Sequence, residues 1–122
     1  MIKEINSLVL AYLGDTIYED YVREYLIKKG ISNVNDLQKE SVKYSSAKAQ
    51  CEIVKRLIDE SFFNDAELEI IKRARNHKGS SHPRNCDIVT YKYATGFEAL
   101  IGYLKLENNI SRIDEIMKNV LK

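Results

Sequence analysis

Apolar residues recur at three- and four-residue intervals along most of the chain, which is the spacing of one face of an α-helix. The first such run predicts a helix from about residue 7 to residue 29, with Gly30 as its C-terminal stop. No segment shows the sustained two-residue alternation of a β-strand. The pattern therefore predicts an all-α helical bundle. The apolar residues that recur at helical spacing in this first helix are Leu10, Leu13, Ile17, Tyr21 and Leu26.

Polar residues divide the rest of the chain into shorter helices. Asn64, followed three residues later by Glu67, is typical of a capping box, in which each side chain bonds the other residue's backbone N–H. A polar stretch over residues 76–87 contains Pro83 and a Gly-Ser-Ser run, which cannot continue a helix. The further helices are expected at about 36–43 behind Asn33 or Asn35, after Ser45 or Ser46, at 64–75, at 89–106, and from Ser111 to the C-terminus.

Length and composition point to one domain over residues 1–122. With 44% hydrophobic residues, the chain can bury a core without disulfides. Cys51 and Cys86 form no CxxC pair and are expected to be free thiols in a reducing compartment. No apolar run approaches the roughly 20 residues of a membrane span. We therefore expect a cytoplasmic protein with no membrane partner.

The charge is small overall but unevenly distributed. The net charge of +1 excludes a uniformly basic nucleic-acid binder. Residues 1–24 contain five acidic residues against two basic ones, whereas residues 72–92 contain six basic residues against one acidic one. Phosphodiester chemistry uses this arrangement, since carboxylates hold a metal ion and cations hold a nucleic-acid backbone. Charge alone, however, favours the ordinary alternative of a solvated surface.

Two acidic residues interrupt apolar helical stretches. Asp15 follows Gly14. A glycine within a helix lowers helix stability by about 1 kcal/mol relative to alanine. Its presence is explained if another helix or a ligand approaches the backbone closely at this position. Glu98 is a lone acid between Gly96 and Gly102, and a buried carboxylate must be neutralised, paired or bound to a cation. If the two helices pack together, the two acids suit Mg²⁺, which takes few protein oxygens. Taken alone, each acid is more simply read as a paired or partly exposed side chain.

The two motifs together resemble the catalytic domains of ribonuclease III. Residues 11–15 (Ala-Tyr-Leu-Gly-Asp) and 95–102 (Thr-Gly-Phe-Glu-Ala-Leu-Ile-Gly) are similar to that family's E-F-L-G-D and D-x-F-E-A-L-I-G signatures, in the same order. The turn at residues 75–78 (Arg-Asn-His-Lys) is similar to an Arg-Asn-x-Lys turn of the Mini-ribonuclease III branch. The resemblance covers nearly the whole chain. It implies a homodimeric, ribonuclease III-like helical bundle that cleaves double-stranded RNA with Mg²⁺ and has no separate double-stranded RNA-binding domain.

Carried over position by position, the resemblance implies that Asp15 and Glu98 are both catalytic residues and metal ligands. Ala11 and Thr95 stand where larger members of the family have acids, so the number of metal ions stays open. We hypothesise that Glu19 or Asp87 supplies part of the negative charge that is missing at Ala11 and Thr95. The candidate helpers of the pair are Glu19, Asp87 and Thr95.

The basic turn is expected to contact RNA across an A-form minor groove, where shape and 2′-hydroxyls are read more than sequence. A zinc site at His77, His82 and Cys86 is not supported, because the spacing matches no zinc pattern. The resemblance further implies maturation of precursor 23S ribosomal RNA, and leaves open whether a ribosomal protein presents it. Two alternatives stay open: a catalytically weak RNA-binding relative, and a helical protein-interaction module. The expected RNA-binding residues are Arg75, Asn76, Lys78, Arg84 and Lys92.

Overall fold

The computed structural model describes residues 2–77 and 86–122. Over these residues the chain forms a 3₁₀ turn at Ile2–Glu4, six α-helices and no β-strand, which confirms the predicted all-α class. The helices are α1 (Ser7–Lys28), α2 (Val34–Ser45), α3 (Ala47–Asp59), α4 (Asp65–Arg75), α5 (Ile88–Leu106) and α6 (Ile110–Val120).

Most predicted boundaries are confirmed to within two residues, because the caps are local signals. Asn33 is the cap of α2, and Ser46 caps α3 by accepting a hydrogen bond from the backbone N–H of Ala49 at 3.1 Å. Asn64 and Glu67 form the predicted capping box at the start of α4. Each of these caps satisfies amides that the first turn of a helix leaves without partners.

The start of α6 differs from the prediction. The side chain of Asn109 accepts a hydrogen bond from the backbone N–H of Arg112 at 3.3 Å, so the helix begins at Ile110. The predicted start at Ser111 is one residue late, and the predicted cap was wrong, because the side chain of Asn109 caps the helix instead. The hydroxyl of Ser111 donates to the same Asn109 oxygen, at 3.3 Å.

The central helix of the bundle is α5. It is buried on nearly all sides from Ala94 to Leu104, as expected for a helix that is apolar around its circumference. Helices α1, α3 and α4 pack around it, and the ring of Phe97 meets that of Tyr18 edge-to-face at 5.8 Å. In the described part of the chain, none of the helices has the length and apolar content needed to cross a membrane.

One ion pair connects α4 to α6. Arg112 donates to the two carboxylate oxygens of Glu67 at 2.7 and 2.8 Å, and to the carbonyl of Phe62 at 3.0 Å. Glu67 is buried, so its charge requires this partner. The same carboxylate also serves the capping box, which joins the start of α4 to the neighbouring helix.

Candidate active site

Both acidic motifs lie where α1 crosses α5. A Cβ on Gly14 would be 1.7 Å from the carbonyl oxygen of Glu98, and a Cβ on Gly102 would be 2.0 Å from that of Leu10. No side chain fits at either distance, so both positions require glycine. The two glycines let the helix backbones touch. This is the close approach that was predicted from the presence of Gly14 within a helix. The crossing places residues 15 and 98 side by side.

Asp15 and Glu98 form a carboxyl pair at this crossing. Asp15 is exposed and Glu98 is half-buried, and their carboxyl groups are close enough to hydrogen-bond. Burial, followed by the hydrogen bond and the charge of Asp15, raises the pKa of Glu98 to about 9. The structure therefore brings together the two residues that the sequence singled out.

Gln50, on α3, also contacts Glu98 and was not predicted from the sequence. Its side chain is 2% exposed, and its Nε2 donates to Oε2 of Glu98 at 3.4 Å. This hydrogen bond lowers the pKa of Glu98, opposing the effect of burial. The available signal was a glutamine on a helix face whose other buried members are Cys51, Val54 and Leu57. An amide at such a position needs a polar partner.

Glu19 lies one turn after Asp15 on α1. Its carboxylate accepts a hydrogen bond from Nε of Arg23 at 3.2 Å, and its charge also raises the pKa of Glu98. Burial and the charges of Glu98 and Glu19 raise the pKa of Tyr18, whose hydroxyl donates to the carbonyl of Tyr44 at 2.6 Å. Glu19 thus acts on the pair electrostatically, and its role as a helper stays a prediction.

The other two candidate helpers have local partners. The hydroxyl of Thr95 donates to the carbonyl of Tyr91 at 2.9 Å. Asp87 caps α5 and accepts hydrogen bonds at 2.9 Å from both the backbone N–H and the hydroxyl of Thr90, which lower its pKa. Asp87 precedes Glu98 by eleven residues, or about 16 Å along a helix axis. The structure therefore does not bring Asp87 to the carboxyl pair.

Three of the five predicted RNA-binding residues can be placed. Arg75 ends α4 and donates to the hydroxyl of Tyr93 at 3.0 Å. Asn76 is the exposed C-cap of the same helix, and Lys92 is half-buried on α5. Lys78 and Arg84, like His82, lie outside the described residues.

Both cysteines are free thiols, as predicted: Cys51 is buried and Cys86 is half-buried.

The donors at the α1–α5 crossing fit a hard divalent cation. Over residues 2–77 and 86–122, no group of three or more His, Cys, Asp or Glu residues is placed to hold a metal, and Asp15 and Glu98 are the two acids that meet at this crossing. Among the described residues, the groups that shift the pKa of Glu98 are two acids and an amide, with no Lys or Arg among them. A pair of carboxylates without a protein cation suits Mg²⁺, which often uses one or two carboxylates and fills its other positions with water or phosphate oxygens.

Comparison with known proteins identifies one family over most of the chain. The Ribonuclease III domain profile matches residues 8–109. The chain is similar to Mini-ribonuclease 3 of Streptococcus pneumoniae, with 41% identity over 113 residues covering 93% of this chain and 88% of that one. Mini-ribonuclease 3 of Brevibacillus brevis is 46% identical over 113 residues, covering 93% and 83%. A crystal structure of a Fusobacterium nucleatum protein has a TM-score of 0.86 and 34% identity, covering 96% of this chain and 93% of that one. The chain therefore belongs to the ribonuclease III family and is an endoribonuclease.

Proposed function

We propose that this endoribonuclease cleaves double-stranded RNA and depends on Mg²⁺, with Asp15 and Glu98 as its catalytic residues and metal ligands. The observation that carries the proposal is the carboxyl pair itself. Two acids 83 positions apart meet at a crossing that admits no side chain, and one of them is half-buried with no Lys or Arg of the described residues shifting its pKa. Because each acid makes the other more costly to ionise, a cation bound between them would stabilise the ionised pair.

Each residue of the site has a distinct task. Asp15 is exposed, so its carboxylate can accept a hydrogen bond from a water and orient that water toward a phosphate. Glu98 is held from the protein side by the amide of Gln50. When held by the two carboxylates, Mg²⁺ would supply Lewis acidity and positive charge against the negative charge that develops at the scissile phosphate.

We also propose that the protein acts as a homodimer in which each protomer cuts one strand. Tyr12, three residues before Asp15, is 82% exposed, and Val9 is 56% exposed one turn earlier. Neighbouring exposed apolar side chains mark interaction surfaces, and a second copy covering this strip would lie beside the carboxyl pair. Tyr12→Ser is expected to shift the sedimentation coefficient toward the monomer. Ile27→Ser, at a 58% exposed position on the same helix, is the matched control.

We further propose that residues 1–122 act as a single catalytic domain on precursor 23S ribosomal RNA in the cytoplasm. The match to proteins named Mini-ribonuclease 3 over most of the chain supports the catalytic domain, and the substrate and the compartment are what the family resemblance implies. Cleavage of a precursor transcript, with and without a ribosomal protein that binds the same region, tests both the substrate and the need for a presenting partner.

The proposal is tested by cleavage of a long RNA duplex, with Mg²⁺ or with a chelator. The wild type is expected to cut only with Mg²⁺, and Asp15→Asn is expected to cut at least about 100-fold more slowly. Asp20→Asn, an exposed aspartate on the same helix, is the control and should retain activity. Equal cutting by wild type and Asp15→Asn would contradict the assigned roles. Duplex binding without cutting would make the chain a catalytically weak RNA-binding relative, and absent or salt-insensitive binding would favour a protein-interaction module.

A further inference from the structure

Two cations share one aromatic ring at the meeting point of three helices. The Nζ of Lys55, on α3, lies 4.8 Å from the centroid of the Tyr93 ring. The guanidinium carbon of Arg75, at the end of α4, lies 5.1 Å from the same centroid, and Arg75 also donates to the Tyr93 hydroxyl at 3.0 Å. The two positive charges therefore lie within about 10 Å of each other.

Neither charge is neutralised by a carboxylate. Within residues 2–77 and 86–122, no Asp or Glu lies within salt-bridge distance of Lys55 or Arg75. The chain pairs several other surface cations with acids, as in Lys43 with Glu40 at 2.8 Å. The ring of Tyr93 restrains both cations by cation–π contact but carries no formal charge. Two like charges held beside one neutral ring can both donate to an anion, and the acids that line the same cavity as Lys55 are Glu52 and Asp87.

We propose that Lys55 and Arg75, positioned by Tyr93, bind one backbone phosphate of the RNA duplex. This inference rests on the proposed function. It adds Lys55, which lies outside the basic segment at residues 72–92. The ammonium and guanidinium groups donate to the phosphate oxygens, and Tyr93 acts as a positioning residue through its ring and its hydroxyl.

The location of this phosphate site agrees with a duplex lying over the carboxyl pair. Tyr93 precedes Glu98 by five residues on α5, which is about 7.5 Å along the helix axis and about 140° around it, so the two side chains leave different faces of the helix. Asn76 directly follows Arg75 and Lys92 directly precedes Tyr93, so the phosphate site is continuous with the predicted RNA-binding residues. A duplex that contacts both Glu98 and the phosphate site therefore has to cover both of these faces of α5.

The test measures duplex RNA binding over a salt series, in chelator so that no cleavage intervenes. Lys55→Gln is expected to weaken binding about 3- to 10-fold and to reduce the slope of log affinity against log salt by about 1, the signature of one lost phosphate contact. Lys43→Gln removes the same charge from a paired surface lysine and should change neither quantity. With Mg²⁺ present, Lys55→Gln should raise KM and leave kcat unchanged.

A double-mutant comparison tests whether the two cations share a phosphate. Adding Arg75→Gln to Lys55→Gln should reduce affinity by clearly less than the product of the two single effects. If the double variant loses affinity by the full product of the two single effects, the proposal that both cations bind one phosphate is overturned. A Lys55→Gln variant that matches Lys43→Gln in affinity and salt slope, in a wild type that binds and cleaves duplex RNA, would overturn this phosphate site alone. A wild type that does not bind duplex RNA would overturn the proposed function as well.

Discussion

Replacing Glu98 with glutamine should abolish activity and at the same time stabilise the metal-free protein. Burial and Asp15 raise the pKa of Glu98 from 4.5 to about 9, so the folded, metal-free protein holds a proton on Glu98 at neutral pH. The unfolded chain does not hold that proton at pH 7. Folding must therefore take up a proton at pH 7, and Glu98→Gln removes this requirement.

The magnitude and sign follow from linkage. The pKa of Glu98 is higher in the folded state than in the unfolded chain. The stability that protonated Glu98 contributes is therefore fully present below pH 4.5 and is lost progressively as pH rises toward 9. Each pH unit in this window corresponds to 1.36 kcal/mol, so at pH 7 the wild type has lost about 3 kcal/mol relative to pH 4.5. Glutamine has no charge at any of these pH values. The variant should therefore be more stable than the wild type at pH 7 by about 3 kcal/mol.

Urea unfolding in chelator between pH 5 and pH 9 measures this difference. At pH 7 the midpoint of Glu98→Gln should lie roughly 1–2 M urea above that of the wild type, and the gap should be small at pH 5. Excess Mg²⁺ should stabilise the wild type and leave the variant unchanged. Glu69→Gln, at an exposed position on α4, controls for the loss of a negative charge.

A gap between Glu98→Gln and the wild type that stays constant from pH 5 to pH 8 would refute the reasoning. So would a variant that is less stable than the wild type at pH 7. Either result would mean that Glu98 is ionised and stabilised by the protein itself, which would remove the reason for a metal at this crossing.

Three further predictions concern the packing around the site. Gly14→Ala should destabilise the protein by at least about 3 kcal/mol in urea unfolding and abolish cleavage, because its Cβ would overlap the backbone of Glu98. Gln50→Leu should raise the Mg²⁺ concentration needed for half-maximal cleavage about 10-fold without changing duplex affinity in chelator, whereas the exposed Gln38→Leu should change neither. Glu67→Gln should lower stability by about 3 kcal/mol, since it leaves a half-buried arginine without its carboxylate, and thermal unfolding measures the loss.

The helices were largely predictable because their signals are local. Asn64 and Glu67 are three residues apart and bond each other's backbone, so the sequence alone indicates the start of α4. The start of α6 was misplaced because Asn109 and Ser111 are both capping residues. Only the backbone geometry decides which of the two accepts the amide of Arg112.

The candidate site was predictable in part. Asp15 and Glu98 are unusual within their own helices, so each is visible in the sequence before its partner is known. Lys55 does not stand out within α3, and Gln50 stands out only as an amide on an apolar helix face. Their roles come from contacts with residues 48 and 38 positions away in the sequence, Glu98 and Tyr93. No periodicity or motif encodes such contacts, because the packing of α3 against α5 creates them.

The central claim is that Asp15 and Glu98 jointly bind one divalent cation. A crystal structure of the wild-type protein grown with Mn²⁺ tests it most directly, since the anomalous signal of manganese locates the ion independently of the protein. We predict an anomalous peak between the two carboxyl groups at the α1–α5 crossing, and no peak there in crystals of Glu98→Gln. A peak elsewhere, or a wild-type crossing with no ion at saturating Mn²⁺, would contradict the account.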